Sequence, residues 1–280
     1  MSARTYDAAS EPVVSDLMTR AVAFARDTDT LSFASQVLLW RGVRHLPILD
    51  VRERLVGIMS DRDLLQHVLE GPAGSRPVSD FMSKGVKTIN PGARLAEAAA
   101  LLGELRIDAL PVVDDGRLVG IVTTTDILSD RRRALSKAHV GGTPRAADVM
   151  RSNVITVRPT DSLQDAIERL LDAGARHLPV VDAEFRVIGI VSDRDVRTAI
   201  GDPRTSLTTG GRGAATLECC VGAIMTKGPI TVRSDTSLME VAELFVDERI
   251  GALPVVRDDD TLIGIISYVD VIARFVGRRD

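Results

Sequence analysis

Apolar positions along the chain change their period in a fixed order, and that order occurs four times. Each copy begins with a short extended run: AVAFA at 21–25, VKTI at 86–89, VITV at 154–157 and PITV at 229–232. A helical pattern follows, clearest in SLQDAIERLLDAG at 162–174, where Leu163, Ala166, Ile167, Leu170 and Leu171 recur at helical spacing. Ser162 or Asp161 is placed to cap its start, and Gly174 to end it. Next comes a continuous apolar strand, LPIL once and LPVV three times. A polar turn leads into a second apolar strand that passes through a glycine: LVGIM, LVGIV, VIGIV and LIGII. Two such strands across a short turn predict a β-hairpin. A last helix opens at a Ser or Thr. The unit is therefore β-α-β-β-α with mixed strand pairing, an α/β (α+β) fold.

Fixed offsets tie the copies together. Met18, Met82, Met150 and Met225 are each followed 29 residues later by Pro47, Pro111, Pro179 and Pro254. Gly57, Gly120, Gly189 and Gly264 come next, and Asp63, Asp126, Asp195 and Asp270 each stand 6 residues beyond. A constant period defines the folding unit, here 14–68, 78–133, 146–200 and 221–275. Units of about 55 residues are small for independent stability, so pairing is expected. Units 1 and 3 share Arg-His-Leu-Pro and Ser-Asp-Arg-Asp, whereas units 2 and 4 share Arg-Ile-x-Ala-Leu-Pro. This alternation points to duplication of a pair, giving modules 1–138 and 139–280. The joins are 69–77 and the longer 201–218, whose Gly/Ser/Thr content predicts mobility and makes it a candidate for contact with an effector.

Composition narrows the function classes. Hydrophobic residues make up 45% and aromatics 3%, so the core is built from Val, Ile, Leu and Ala. The net charge of −4 argues against nucleic acid or an anionic membrane as partner. The short basic runs Arg131–Arg133 and Arg278–Arg279 fall where helices should end, which suits the helix dipole. The adjacent Cys219 and Cys220 cannot staple distant elements and have no zinc-ligand spacing, which fits a reducing, cytoplasmic setting. MSARTYDAASEP has no apolar signal region, and no run of about 18 apolar residues occurs to span a membrane. No nucleophile–base pair, metal set or phosphate-binding glycine loop appears, so an enzyme is not expected.

The four segments GIMSDRD, GIVTTTD, GIVSDRD and GIISYVD, each following a Leu-Pro strand, resemble CBS domains in the paired arrangement called a Bateman module. The resemblance covers nearly the whole chain. It implies clefts between paired units that bind AMP, ADP, ATP or a related adenosyl ligand, and regulation of a separate effector protein. No cofactor is required, though Mg can accompany the nucleotide. It also implies a flat disc of four units, closed by one chain or by a homodimer. In the family, backbone at the first strand reads the base edge, which by register is Ala23, Lys87, Ile155 and Ile230. The residues before Leu-Pro, Arg44 with His45 and Arg176 with His177, line the cleft.

Elementary chemistry supports the same residues. Ser60, Thr123, Ser192 and Ser267 open helices, where free N–H groups and the dipole favour an anion and the hydroxyl adds a donor. Asp63, Asp126, Asp195 and Asp270 can accept both hydroxyls of a ribose. The glycines allow close backbone approach, and Ile58, Ile121, Ile190 and Ile265 can cover a base. Ser/Thr-x-x-Asp is also close to a capping box that needs no ligand, which leaves a scaffold with vestigial pockets as the alternative. Arg44, Arg62, Arg176 and Arg194 favour units 1 and 3 as the stronger phosphate sites. Asp108 and Gly251 replace Arg44 and Arg176 in units 2 and 4, and Asp108 would repel a phosphate unless a cation intervened. Phe24 stands where the other units have Thr88, Thr156 and Thr231, and could fill the base pocket of site 1. His45 and His177 suit packing or a phosphate contact, whereas His67 and His139 have no equivalents. Trp40 and the four methionines are expected to pack.

Overall fold

A computed structural model describes residues 12–70, 75–135, 144–200 and 217–276. Unit 1 contains α1 (Val14–Leu17), β1 (Ala25–Arg26), α2 (Leu31–Arg41), β2 (His45–Leu49), β3 (Leu55–Ser60) and α3 (Asp61–Glu70). Unit 2 has α4 (Leu95–Leu105), β4 (Ala109–Asp114), β5 (Arg117–Thr123) and α5 (Thr124–Leu135). Unit 3 has α6 (Leu163–Asp172), β6 (His177–Val181), β7 (Val187–Ser192) and α7 (Asp193–Ile200). Unit 4 has β8 (Thr226–Lys227), α8 (Leu238–Asp247), β9 (Ala252–Val256), β10 (Leu262–Ser267) and α9 (Tyr268–Val276). Most of the 201–218 join, His139, Arg278 and Arg279 lie outside the described residues, as do the side chains of His67 and Arg131–Arg133.

Every unit forms its antiparallel hairpin around the Leu-Pro strand, as its apolar pattern predicts. The preceding extended run is shorter than its sequence suggests. In unit 1 only Ala25 and Arg26 pair in parallel with β2. Elsewhere single parallel bridges remain, Ile89–Val112, Val157–Val180 and Val232–Val255. The reason is that the run serves two units. Its far end joins its own hairpin, while the residues after the methionine pair with the glycine strand of the neighbour: Thr19 with Ile121, Ser83 with Ile58, Arg151 with Ile265, and Thr226 with Ile190. Ser162 caps α6 by accepting from Asp165 N at 3.0 Å, and Gly174 ends the segment at φ 61°.

The same exchange explains the repeated glycine. A Cβ on Gly120 would stand 2.5 Å from the Met18 sulfur; on Gly189 and Gly264 the distances to Met225 and Met150 would be 2.6 and 2.7 Å. Gly57 faces Met82 in the same way. Close approach is thus required by the partner unit's methionine, which packs as expected. Gly120→Ala should cost about 1–3 kcal/mol by overpacking, read from the midpoint of urea unfolding, and Met18→Ala in the same chain should return part of that loss.

The modules also join to each other. Helix α4 packs on α9 and α5 on α8, joining units 2 and 4, while α3 packs on α6 and α7, joining units 1 and 3. At the first crossing Gly103 lies against Ala273, whose Cα would be 3.2 Å from an added Cβ. Leu102, Leu110, Ile127 and Leu128 of unit 2 share one core with Phe245, Leu253, Val271 and Ile272 of unit 4. Leu65 of unit 1 is buried in the core of unit 3. The four units therefore close a ring in the order 1-2-4-3 within a single chain. Trp40, expected to pack, is 74% exposed at the end of α2.

Candidate ligand-binding clefts

In each unit the second hairpin strand runs directly into a helix, and the Ser/Thr-x-x-Asp segment forms the junction. The aspartate turns back on its own hydroxyl residue. Asp126 Oδ2 accepts from Thr123 N at 2.8 Å and Oγ1 at 2.7 Å. Asp63 does the same with Ser60 at 2.6 and 2.6 Å, Asp195 with Ser192 at 2.8 and 2.7 Å, and Asp270 with Ser267 at 2.9 and 2.5 Å. The hydroxyl proton is therefore spent on the carboxylate and is no donor to a phosphate. What remains for a ligand is the other carboxylate oxygen. Burial raises the pKa of Asp126, opposed by the bonds from Thr123. The first helical N–H is also engaged in three units: Asp61 donates to Arg44 O at 3.3 Å, Thr124 to Asp108 O at 3.0 Å and Asp193 to Arg176 O at 3.0 Å.

Because the methionine strands are exchanged, each aspartate faces the first strand of its partner unit. Ala23 thus lies across a cleft from Ile121 and Thr123 of unit 2, and Lys87, Ile155 and Ile230 follow strands that pair with units 1, 4 and 3. The largest consequence is a cavity of about 590 Å³ between units 1 and 2. Ala21, Val22 and Ala23 edge one side and Ile121 and Thr123 the other, while Arg44, Arg194 and Arg249 line it with positive charge. Its size is that of a small-molecule site, which typically spans ~300–1,000 Å³. A second cavity, of about 140 Å³, lies between units 3 and 4 beside Ser267 and Asp270.

A family model for the CBS domain matches residues 14–70, 78–132, 146–202 and 221–277. The chain belongs to the CBS-domain family. Among relatives, protein MJ1225 of Methanocaldococcus jannaschii is 28% identical over 200 residues, 69% of this chain and 71% of that protein. Its crystal structure superposes with a TM-score of 0.84 at 24% identity, covering 94% of this chain and all of that one, so the two share a fold. A 33.4 kDa protein of Thermofilum pendens is 30% identical over 250 residues, 83% of this chain and 80% of its own. Against the homoserine O-acetyltransferase of Methanohalobium evestigatum the match, 34% over 137 residues, spans only 26% of the relative's length.

Within this CBS protein several predicted site residues take other places. Arg62 donates to Leu170 O, Leu171 O and Ala175 O at 3.3, 2.5 and 3.3 Å, closing the carboxyl end of α6. Arg194 reciprocates from unit 3, donating to Gly42 O at the end of α2 at 3.0 Å. Both arginines bind CBS unit 1 to CBS unit 3 instead of serving the aspartate beside them, although Arg194 also borders the larger cleft. Arg44 lines both cavities, the larger with Thr123 of unit 2 and the smaller with Asp270 of unit 4. The expected preference for units 1 and 3 is thus not how the arginines are arranged. Phe24 is 45% exposed and does not fill the cleft of unit 1; its strand instead serves unit 2.

The positions before the Leu-Pro strands meet at the centre of the ring. Asp108 pairs with Arg176, so an arginine is the cation that its charge requires. Gly251 leaves room for the His177 ring, with a Cβ there standing 2.6 Å from Nε2. His45 and His177 are pushed down to about 3, first by burial and then by Arg44 and Arg176. Both are neutral at pH 7. Sequence reasoning missed Arg249, Arg106, Arg151 and Tyr268 among the lining residues. Arg106 and Arg249 were visible as the first letters of the shared Arg-Ile-x-Ala-Leu-Pro motif. Their left-handed φ of 53° at the helix end, which turns them toward the cleft, was not.

Proposed function

We propose that the protein is a cytoplasmic regulatory sensor for an adenine nucleotide or related adenosyl ligand, with its principal site in the cleft between CBS units 1 and 2. One observation carries this function. All four units line that cleft: Ala21–Ala23 and Arg44 from unit 1, Ile121 and Thr123 from unit 2, Arg194 from unit 3, and Arg249 and Tyr268 from unit 4. The apolar strand edges suit a base and the three arginines suit phosphates, while Asp126, bonded to the lining Thr123, is the residue offered to a ribose hydroxyl. A ligand touching every unit can bias the packing of the whole ring, and an effector that binds the two packings differently would read the change. The site needs no metal for Asp108, since Arg176 meets its charge. No described helix is long and apolar enough to cross a membrane, and both cysteines are free thiols. The MJ1225 protein has itself been put forward as an archaeal homolog of g-AMPK; at 24% identity that likeness carries the fold, and the ligand class rests on the cleft.

The caps, complete without any ligand, favour one second function, an interaction scaffold. Isothermal titration of nucleotide-stripped protein with AMP, ADP, ATP and S-adenosylmethionine separates the two. One of these should bind, and Asp126→Ala should weaken it by about 10- to 100-fold, as loss of a charged hydrogen bond would. Absence of heat with all four ligands would leave the scaffold.

A further inference from the structure

The residue after each repeat methionine stands opposite the aspartate of the partner unit. In three units it is a small hydroxyl residue: Thr19, Ser83 and Thr226. Ser83 shows what such a residue does there, its Oγ making one neutral contact with Asp63 Oδ1 at 3.3 Å. In unit 3 the residue is Arg151. Its Nε and Nη2 lie 3.0 and 2.9 Å from Asp270 Oδ1. Ser267 already holds Oδ2, so both oxygens are engaged, as at Asp63, but here Oδ1 meets two nitrogens of a charged guanidinium instead of one hydroxyl. Arg106 adds a second guanidinium 3.9 Å from the same Oδ1. The Asp270 side chain is 8% exposed. The cavity there measures about 140 Å³, against about 590 Å³ between units 1 and 2.

Building on the nucleotide-binding function proposed above, we infer that Arg151 closes the fourth cleft to ribosyl ligands by occupying Asp270. The guanidinium stands where the ribose diol would be, with its donors on the oxygen the diol needs. Where the residue is Thr19, between units 1 and 2, the cavity is the larger of the two. The chain therefore carries four copies of the aspartate motif, of which the fourth is closed. Arg151 is a specificity-determining residue, because it excludes a ligand that the motif alone would admit.

The test is a count of sites. Full-length wild type, Arg151→Thr, Asp270→Ala and the double variant are titrated with AMP, ADP, ATP and S-adenosylmethionine by isothermal calorimetry. Arg151→Thr restores the residue type of the other units and should raise the number of sites by one per chain. Asp270→Ala alone should leave the wild-type number unchanged, and in the double variant it should cancel the gain. An Arg151→Thr chain that binds as many ligands as wild type, or fewer, overturns the inference, the latter because it would make Arg151 a phosphate contact. Loss of a site in Asp270→Ala overturns it as well, and serves if Arg151→Thr does not fold. If neither wild type nor Arg151→Thr binds any of the four ligands, the proposed function fails and this inference falls with it.

Discussion

Arg197→Met is expected to lower the unfolding free energy by about 3–5 kcal/mol, the usual result of leaving a buried charge without its partner. Arg197 on α7 of unit 3 places Nε 3.1 Å from Asp61 Oδ1 on α3 of unit 1, with side chains 8% and 3% exposed. Burial lowers the pKa of Arg197 and raises that of Asp61 to about 6, which shows how strongly both charges are desolvated. Without the arginine, Asp61 would face Asp193, the buried carboxylate at the same position of unit 3, whose charge already raises the Asp61 pKa. The other units show that an ionic seam is not required. At the position of Arg197 they bury Leu65, Leu128 and Ile272, and at the position of Asp61 units 2 and 4 use Thr124 and Tyr268. Replacing a buried pair by apolar residues is often neutral or stabilising. Asp61→Thr with Arg197→Leu, the residues unit 2 uses, should therefore recover most of the loss. Urea unfolding followed by circular dichroism measures both. A single variant as stable as wild type would mean that water reaches this pair.

The repeat, its hairpins and the hydroxyl–carboxylate junctions were legible because they are local. Ser162 caps α6, and each aspartate lies within reach of its own Ser or Thr, whatever the rest of the chain does. Partner choice was not local. Met18 and Gly120 both mark the period, but nothing in a period says which copy faces which, so the strand of unit 1 was assigned to its own aspartate. Arg62 and Arg194 misled for a geometric reason. Successive residues of a helix point about 100° apart, so an arginine beside the aspartate faces the neighbouring unit. The central cluster of Arg44, Asp108, Arg176 and Gly251 was visible as one aligned position with three residue types. Only ring closure turns that column into an ion pair, an arginine that lines both cavities and a space for His177. The closed fourth cleft has the same origin. Arg151 is an ordinary residue until the exchange of strands sets it opposite Asp270.

Acid should destabilise the protein through the two central histidines, well above the range in which ordinary carboxylates titrate. In the unfolded chain His45 and His177 take up protons near 6.5, whereas in the ring both stay neutral until about 3. Their contribution is complete above 6.5 and is lost as pH falls, because the unfolded state then binds two protons that the folded state refuses. Asp61 acts in the opposite sense. Its folded value of about 6 lies above its ordinary 3.8, so the ring holds a proton there that the unfolded chain has released. Near pH 5 the difference is about one proton, which corresponds to a loss of at most about 1.4 kcal/mol per pH unit. Burial also raises Asp108 and Asp126, which reduces the slope further. Urea midpoints between pH 7 and 5 should therefore fall for wild type. In a His45→Gln, His177→Gln chain the two histidine protons are gone and the carboxylates remain, so the midpoint should rise over the same interval. Asp61→Asn should instead steepen the wild-type fall. If the double glutamine variant loses stability with acid as wild type does, the histidines are solvated and the centre of the ring is open to water.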